Sequence, residues 1–136
     1  MDFIKAIATA ASGLHAQAGR MRVISENIAN ADSTGQTPGA PAYRRKIPTF
    51  RAEIDRALGA DVVALGRVRT DPSSFRKVYE PGHPAADANG YVSYPNVNPL
   101  VEMTDMRDAQ RSYEANLNVI TAARRMLERT VAILNA

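Results

Sequence analysis

The chain has 136 residues, with 17 basic and 14 acidic side chains, a formal net charge of +3 and no cysteine. This length predicts one domain, and the lack of cysteine excludes disulfides, zinc–thiolate sites and a thiol nucleophile. No apolar run approaches the roughly twenty residues that span a bilayer, and Met1–Lys5 lacks the basic segment of a cleavable secretory signal. We therefore expect a protein that is not membrane-spanning and that would leave the cytosol only by another route.

The first thirty residues predict a long helix. Asp2 is a suitable N-cap, and apolar side chains then recur every three or four residues. We call the large apolar residues of this stripe the N-terminal seam: Ile4, Ile7, Leu14, Met21 and Ile28. The rest of the helix is rich in alanine and poor in charge, which favours contact with partners on several sides.

The turn residues Asn30–Gly35 predict the end of this helix, and residues 36–42 form a loop with two prolines. Tyr43–Phe50 then reads as extended. Its basic run Arg44–Lys46 is compatible with a solvated loop or with an electrostatic contact to an acidic neighbour.

The middle of the chain predicts three or four short strands. Residues 51–60 are ambiguous, because their apolar side chains are also spaced for a short helical turn. Val62–Arg69 and Phe75–Tyr79 read as a hairpin, and Tyr91–Tyr94 as a further strand after the turn Asp87–Gly90.

Asn98 and Pro99 predict the start of a second long helix, as N-cap and first helical residue. Its apolar residues repeat over roughly four heptads. We call them the C-terminal seam: Met103, Met106, Tyr113, Leu117, Ile120, Leu127, Val131 and Leu134. Core packing is the favoured interpretation of Met103, Met106 and Met126.

These patterns predict a mainly α protein with a small β insert, in which the terminal helices form an antiparallel coiled-coil-like pair. The expected division is residues 1–34 for the first core helix, 35–98 for the loop and β-rich insert, and 99–136 for the second core helix. Similar helix lengths suggest a register that brings Ile28 close to Met106 and Gln110.

Catalytic motifs, cofactor motifs and metal-site spacings are missing from the sequence. Neither His15 nor His83 has a second ligand at helical spacing, and Asp87–Gly90 lacks the alternating acids of a calcium loop. We predict no enzyme activity, no cofactor and no metal. The residues alone therefore indicate a self-associating structural or interaction protein.

Two further features leave alternatives open. Asparagines in the helices (Asn27, Asn30, Asn116, Asn118) are either caps and solvent-facing groups or hydrogen-bond partners of adjacent subunits. Residues 41–98 hold nine basic and six acidic groups, so the alternative function is nucleic-acid binding by this basic middle segment (Arg44, Arg45, Lys46, Arg67, Arg69). We favour no nucleic acid as partner, since the excess is small.

Several motifs resemble the bacterial flagellar rod and hook family. Asn27–Gly35, with the sequence NIANADSTG, is similar to the hallmark of that family. Pro41–Lys46, Tyr79–Asp87, Gly90–Asn98 and the segment from Glu102 to Asn116 match a rod subunit in the same order. The departures are small: Ala85–Asp87 replaces a more acidic stretch, and Gln110 stands where small residues are common.

The resemblance implies a structural subunit of the flagellar basal-body rod, in the periplasm, that transmits torque and polymerises through its terminal helices. The implied partners are copies of itself, other rod proteins (FlgB, FlgF, FlgG), FliE, the flagellar type III export apparatus and surrounding ring proteins. Carried onto this sequence, the family motif residues are Asn27, Asn30, Tyr43, Arg44, Arg45, Tyr113 and Asn116.

Overall fold

The computed structural model describes residues 2–136 and contains two long helices and six short strands. The helices are α1 (Phe3–Ala29) and α2 (Pro99–Leu134). The strands are β1 (Lys46–Ile47), β2 (Phe50–Asp55), β3 (Ala60–Leu65), β4 (Arg69–Thr70), β5 (Arg76–Tyr79) and β6 (Tyr91–Tyr94). Helices hold 47% of the chain and strands 18%, so "mainly α" overstates the helical share. Two long terminal helices with a small β region between them are confirmed.

Both helix starts follow the predicted capping. The Asp2 carboxylate accepts hydrogen bonds from the backbone N–H groups of Ile4 and Lys5. The side-chain oxygen of Asn98 accepts from the N–H of Leu100, and Pro99 is the first residue of α2. Each cap satisfies N–H donors that the first helical turn cannot use.

The strands form three separate antiparallel pairs: β2 with β3, β5 with β6, and β1 with β4. The predicted hairpin between Val62–Arg69 and Phe75–Tyr79 is therefore wrong. The ambiguous residues 51–60 supply the true partner of β3, because Asp55 starts a tight turn and Gly59 accepts its positive φ of 58°. In the second hairpin, Asp87 holds the predicted turn by accepting hydrogen bonds from the N–H groups of Asn89 and Tyr91.

The chain divides into two compact units, each assembled from separate segments. The first contains α1 as far as Met21, Thr49–Arg67 and Arg107–Ala136. The second contains Arg22–Pro48 and Val68–Met106. These units follow spatial compactness and cut across the predicted segments 1–34, 35–98 and 99–136, which remain a prediction of domain organisation.

The most deeply buried helix residues of the first unit are small, whereas in the second unit α1 also buries the larger apolar residues Val23 and Ile24. In the first unit, α1 buries Ala10, Gly13 and Ala16, and α2 buries Ala109 and Ala123. Met103 and Met126 are about half exposed, at 52% and 47%. The prediction that these two methionines pack in the core of the chain is wrong, because small residues allow closer approach than methionine does.

Candidate functional site

The second unit contains a buried polar cluster, formed by the side chains of Asn27, Tyr43, Arg45 and Glu102. Asn27 and Glu102 are both fully buried, at 0% exposure. The loop after α1 brings Tyr43 and Arg45 back onto the helix, and the capped start of α2 places Glu102 in its first turn. Three segments distant in sequence therefore meet in one place.

The side-chain amide of Asn27 is completely satisfied. Its Nδ2 donates to the backbone carbonyl of Lys46 at 2.8 Å and to Oε2 of Glu102 at 3.1 Å. Its Oδ1 accepts from the Tyr43 hydroxyl and from the Lys46 N–H, both at 2.9 Å. Because Asn27 pairs with backbone groups of Lys46 like a strand neighbour, it fixes the returning chain on the helix.

The Arg45 guanidinium compensates the buried carboxylate of Glu102. Its Nε donates to Oε1 of Glu102. Its other nitrogens lie 3.6 Å from Oδ2 of Asp71 and 3.5 Å from Oδ2 of Asp105. Burial would lower the pKa of Arg45, but the hydrogen bond and charge of Glu102, with Asp105 and Asp71, raise it above its ordinary value. Arg45 is therefore charged at every pH that proteins tolerate.

Two neighbouring groups also titrate at higher pH than usual. Burial raises the pKa of the Tyr43 hydroxyl, and the negative charges of Glu26 and Glu102 raise it further against the opposing charge of Lys46. The hydrogen bond and charge of Glu26, 2.7 Å from Nζ, raise the pKa of Lys46. Both groups therefore keep their protons at neutral pH.

A second layer of contacts ties the loop at residues 71–73 to the cluster. The N–H of Asp71 donates to the carbonyl of Arg45, and the N–H of Arg45 donates to Oδ1 of Asn96, both at 2.8 Å. Asn96 and Arg44 both donate to the carbonyls of Asp71 and Ser73. The backbone N–H and C=O groups of Arg45 and Asp71 and the C=O of Ser73 therefore all have partners, which fixes the two loop segments to each other.

Of the predicted motif residues, the structure brings Asn27, Tyr43 and Arg45 together. For Asn27 the prediction of a hydrogen bond to an adjacent subunit is wrong, because its partners lie in its own chain. Asn30 instead donates to the carbonyl of Glu26 at the end of α1. Arg44 lies beside the cluster, with its guanidinium carbon 4.3 Å from the centre of the Phe75 ring.

Tyr113 and Asn116 belong to the first unit. Asn116 donates to the carbonyl of Ser112, and its side chain lies directly against Gly13 of α1. A Cβ atom added to Gly13 would lie 2.6 Å from Nδ2 of Asn116. Glycine therefore lets the two helices approach closely here, and any larger residue would displace the Asn116 side chain.

Sequence reasoning missed Glu102, the central acid of the cluster. As one of several acids near the start of α2, it reads as a favourable helix-dipole charge. The basic run Arg44–Lys46 contains a signal for such an acid, because it is compatible with an electrostatic contact to an acidic neighbour. That alternative is confirmed: Arg45 contacts Glu102, and Lys46 contacts Glu26.

The expected helix register differs from the observed contact. The sequence placed Ile28 near Met106 and Gln110, whereas Asn27 bonds to Glu102. In an antiparallel pair the expected register puts Asn27 opposite residues 107–111, so Glu102 lies five to nine residues closer to the start of α2. The prediction aligned large apolar residues, but a polar pair fixes the contact.

Much of both seams is exposed in the single chain. Ile4 of the N-terminal seam is 60% exposed, while Ile7, Leu14, Met21 and Ile28 are partly buried. In the C-terminal seam, Met106, Tyr113 and Ile120 are partly buried, and the exposed residues are Met103, Leu117, Leu127, Val131 and Leu134. Large apolar side chains exposed along one helix form the kind of surface that protein partners cover.

The contacts of the polar cluster join three segments of the chain to one another. Within residues 2–136, no group of three or more His, Cys, Asp or Glu side chains could hold a metal ion. Within the same residues, no helix is long and apolar enough to cross a membrane. His83 has a structural environment, since its Nδ1 accepts from the N–H of Ala85 and its Nε2 lies 3.3 Å from the Thr34 hydroxyl.

Two family models match the two ends of the chain. Residues 7–36 match the model described as "Flagella basal body rod protein". Residues 88–133 match the model described as "Flagellar basal body rod FlgEFG protein C-terminal". The matches cover most of α1, the turn after it and nearly all of α2.

Curated relatives are similar over almost the whole chain. A flagellar basal-body rod protein FlgC of Agrobacterium fabrum is 52% identical over 127 residues, covering 93% of this chain and 91% of the relative. FlgC of Aquifex aeolicus is 38% identical over 130 residues, covering 96% of both chains. FlgC of Salmonella typhimurium is 39% identical over 124 residues, covering 91% of this chain and 92% of the relative.

Proposed function

This chain belongs to the FlgC family of flagellar basal-body rod proteins and is a structural subunit of the rod, and we propose that it polymerises through its terminal helices to transmit torque across the periplasm. The observation that carries the proposal is the row of exposed apolar residues on α2, including Leu117, Leu127 and Val131. Their burial against neighbouring subunits stabilises an assembly by about 1.5–3 kcal/mol for each fully covered side chain.

An antiparallel, coiled-coil-like pairing of α1 and α2 is part of this proposal. It is supported by two contacts, one within each unit: Gly13 against Asn116, and Asn27 with Glu102. Small and polar residues mediate both contacts, which leaves the exposed residues of the C-terminal seam available for other chains.

We propose that the seams are the assembly interfaces, with copies of this chain and other rod components as partners. Among rod components, FlgB, FlgF, FlgG and FliE are the expected neighbours, with ring proteins around them. The proposed route to the basal body is the flagellar type III export apparatus. These partners and this route rest on the family.

A non-enzymatic role agrees with a family of structural proteins and with the way the polar residues are used. The alternative, nucleic-acid binding, is less well supported. Arg45 and Lys46 are paired with carboxylates of the same chain, and Arg44 is stacked on Phe75. Phosphate binding at these three residues would have to compete with the contacts that each of them already makes.

The proposal is tested by Leu117→Asp in a motile cell, with Asn118→Asp as matched control. Both changes add one negative charge at neighbouring exposed positions of α2, but only Leu117 belongs to the C-terminal seam. We expect Leu117→Asp to abolish rod assembly and motility, because a charge buried without a partner costs several kcal/mol. Asn118→Asp should stay motile, and normal motility of both variants would refute the role of the seam.

A further inference from the structure

One edge of the β2–β3 hairpin is covered by side chains of α1. The Thr9 hydroxyl donates to the carbonyl of Asp61 at 2.8 Å. The N–H of Val63 donates to the Ser12 hydroxyl at 3.1 Å. Asp61 and Val63 therefore direct their backbone polar groups towards the helix and away from β2.

This geometry also determines which backbone groups of β2 lie on the opposite edge of the hairpin. In an antiparallel pair, residues facing each other direct their polar backbone groups either both inward or both outward. Asp61 faces Ile54 and Val63 faces Ala52. The N–H and C=O groups of Ala52 and Ile54 therefore point away from β3, and within residues 2–136 they have no hydrogen-bond partner on that side.

This open edge also carries exposed apolar side chains. Phe50 is 44% and Ile54 68% exposed, and Ala52 between them is exposed as well. These three residues alternate along β2 and so lie on one face of the hairpin. A two-stranded hairpin with an uncovered apolar edge is a template for a further strand.

The sequence of β2 is complementary to itself in one antiparallel register. With Ala52 opposite Ala52 of the partner subunit, Phe50 faces Ile54 of the partner subunit. Arg51, which lies 2.6 Å from Glu53 of its own strand, then also faces Glu53 of the partner subunit. If the strands slide by two residues in one direction, Glu53 lies opposite Glu53 of the partner subunit. If they slide by two residues in the other direction, Arg51 lies opposite Arg51 of the partner subunit. Like charges directly opposite are destabilising, whereas opposite charges and apolar pairs stabilise a sheet.

We propose that two copies of this chain pair through their β2 edges, antiparallel and with Ala52 opposite Ala52 of the partner subunit. The result is a four-stranded sheet in which the outward backbone groups of Ala52 and Ile54 are hydrogen-bonded. A two-fold contact of this kind is closed, so it joins two subunits and does not extend into a polymer. It concerns the subunit outside the rod and does not use either seam.

The register is tested by disulfide trapping in the full chain, which has no cysteine of its own. Residues paired through hydrogen bonds have Cα atoms about 5.5 Å apart, which suits a disulfide. Under mild oxidation, Ala52→Cys should form a covalent dimer at least about tenfold faster than Ala57→Cys, an exposed residue in the turn of the same hairpin. Equal rates for the two variants would overturn the proposal.

The charge pairing is tested by sedimentation of purified chains. Arg51→Glu and Glu53→Arg should each weaken dimerisation roughly tenfold, because each change makes two cross-strand pairs repulsive. The double variant restores opposite charges and should recover the dimer. A dimer that is unchanged in the single variants, or not recovered in the double variant, would contradict the register.

Ala52→Pro keeps the hairpin but removes one outward N–H, and proline is tolerated on an edge whose N–H faces solvent. This variant should be monomeric with unchanged circular dichroism; persistence of the dimer would refute pairing through the edge. Leu117→Asp should leave the dimer intact, which separates this proposal from the one on rod assembly.

Discussion

The side-chain amide of Asn27 donates to the buried carboxylate of Glu102, with 3.1 Å between Nδ2 and Oε2. The two residues are 75 positions apart, and both are fully buried. A buried carboxylate is stable only when it is paired and hydrogen-bonded. Asn27, Arg45 and Glu102 therefore depend on one another, and variants of each have distinct expected outcomes.

Replacing Asn27 by Asp should strongly destabilise the second unit. The new side chain keeps the shape but loses the Nδ2 donor, and it places a second negative charge about 3 Å from Glu102. We expect a loss of at least about 3 kcal/mol in the free energy of unfolding, measured by urea denaturation. Asn30→Asp is the control, since Asn30 is only partly buried; equal effects of both changes would contradict the role assigned to Asn27.

Replacing Arg45 by Gln leaves Glu102 buried without its cation. The expected cost is about 3–5 kcal/mol, because an unpaired buried charge is unfavourable. The double variant Arg45→Gln with Glu102→Gln removes both charges and should recover much of this loss. If the two single effects simply add in the double variant, the pair is not coupled.

Gly13→Ala should destabilise the first unit, although alanine normally favours a helix by about 1 kcal/mol over glycine. The added methyl group would overlap Asn116, whose Cγ lies 2.9 Å from the new Cβ position. In an Asn116→Ala background the overlap is removed, and the same change should become stabilising. A thermal unfolding series tests this reversal of sign, and a stabilising effect in both backgrounds would show that the helices do not touch at Gly13.

Stability should fall at alkaline pH. The folded-state pKa values of Tyr43 and Lys46 are raised, so the folded chain binds these protons more tightly than the unfolded chain. Their contribution is complete below their unfolded pKa values, about 10 for both groups, and is lost as pH rises through the raised values. Unfolding at pH 8 to 11 should show this loss, and it should be smaller in Tyr43→Phe.

The local features of the fold could be predicted from the sequence because they depend on neighbouring residues. The caps at Asp2 and Asn98, the end of α1 before Asn30 and the turn at Asp87 all follow from the chemistry of one side chain near its own backbone. Strand pairing could not be predicted in this way. Val62–Arg69 could pair with residues 51–60 before it or with Phe75–Tyr79 after it. The apolar pattern of residues 51–60 fits a helix and a strand equally, so it does not identify the true partner.

The buried polar cluster could be predicted only in part. Asn27, Tyr43 and Arg45 were identified through the family motifs, without a physical reason for their association. Glu102 was not among them, because its burial depends on the return of the chain from residue 46 and on the position of α2. The pattern of large apolar residues predicts a different helix register. In the structure, the polar pair Asn27 and Glu102 specifies where the two helical segments meet.

The cluster also has a consequence for the order of folding. Its members come from positions 27, 43–46 and 102, so it cannot close until three quarters of the chain is available. Closing so long a loop is entropically slow, while hairpins and single helices form early. A chain in which α2 is not yet available for folding therefore lacks the ion pair between Arg45 and Glu102. The cluster is completed only when α2 joins it.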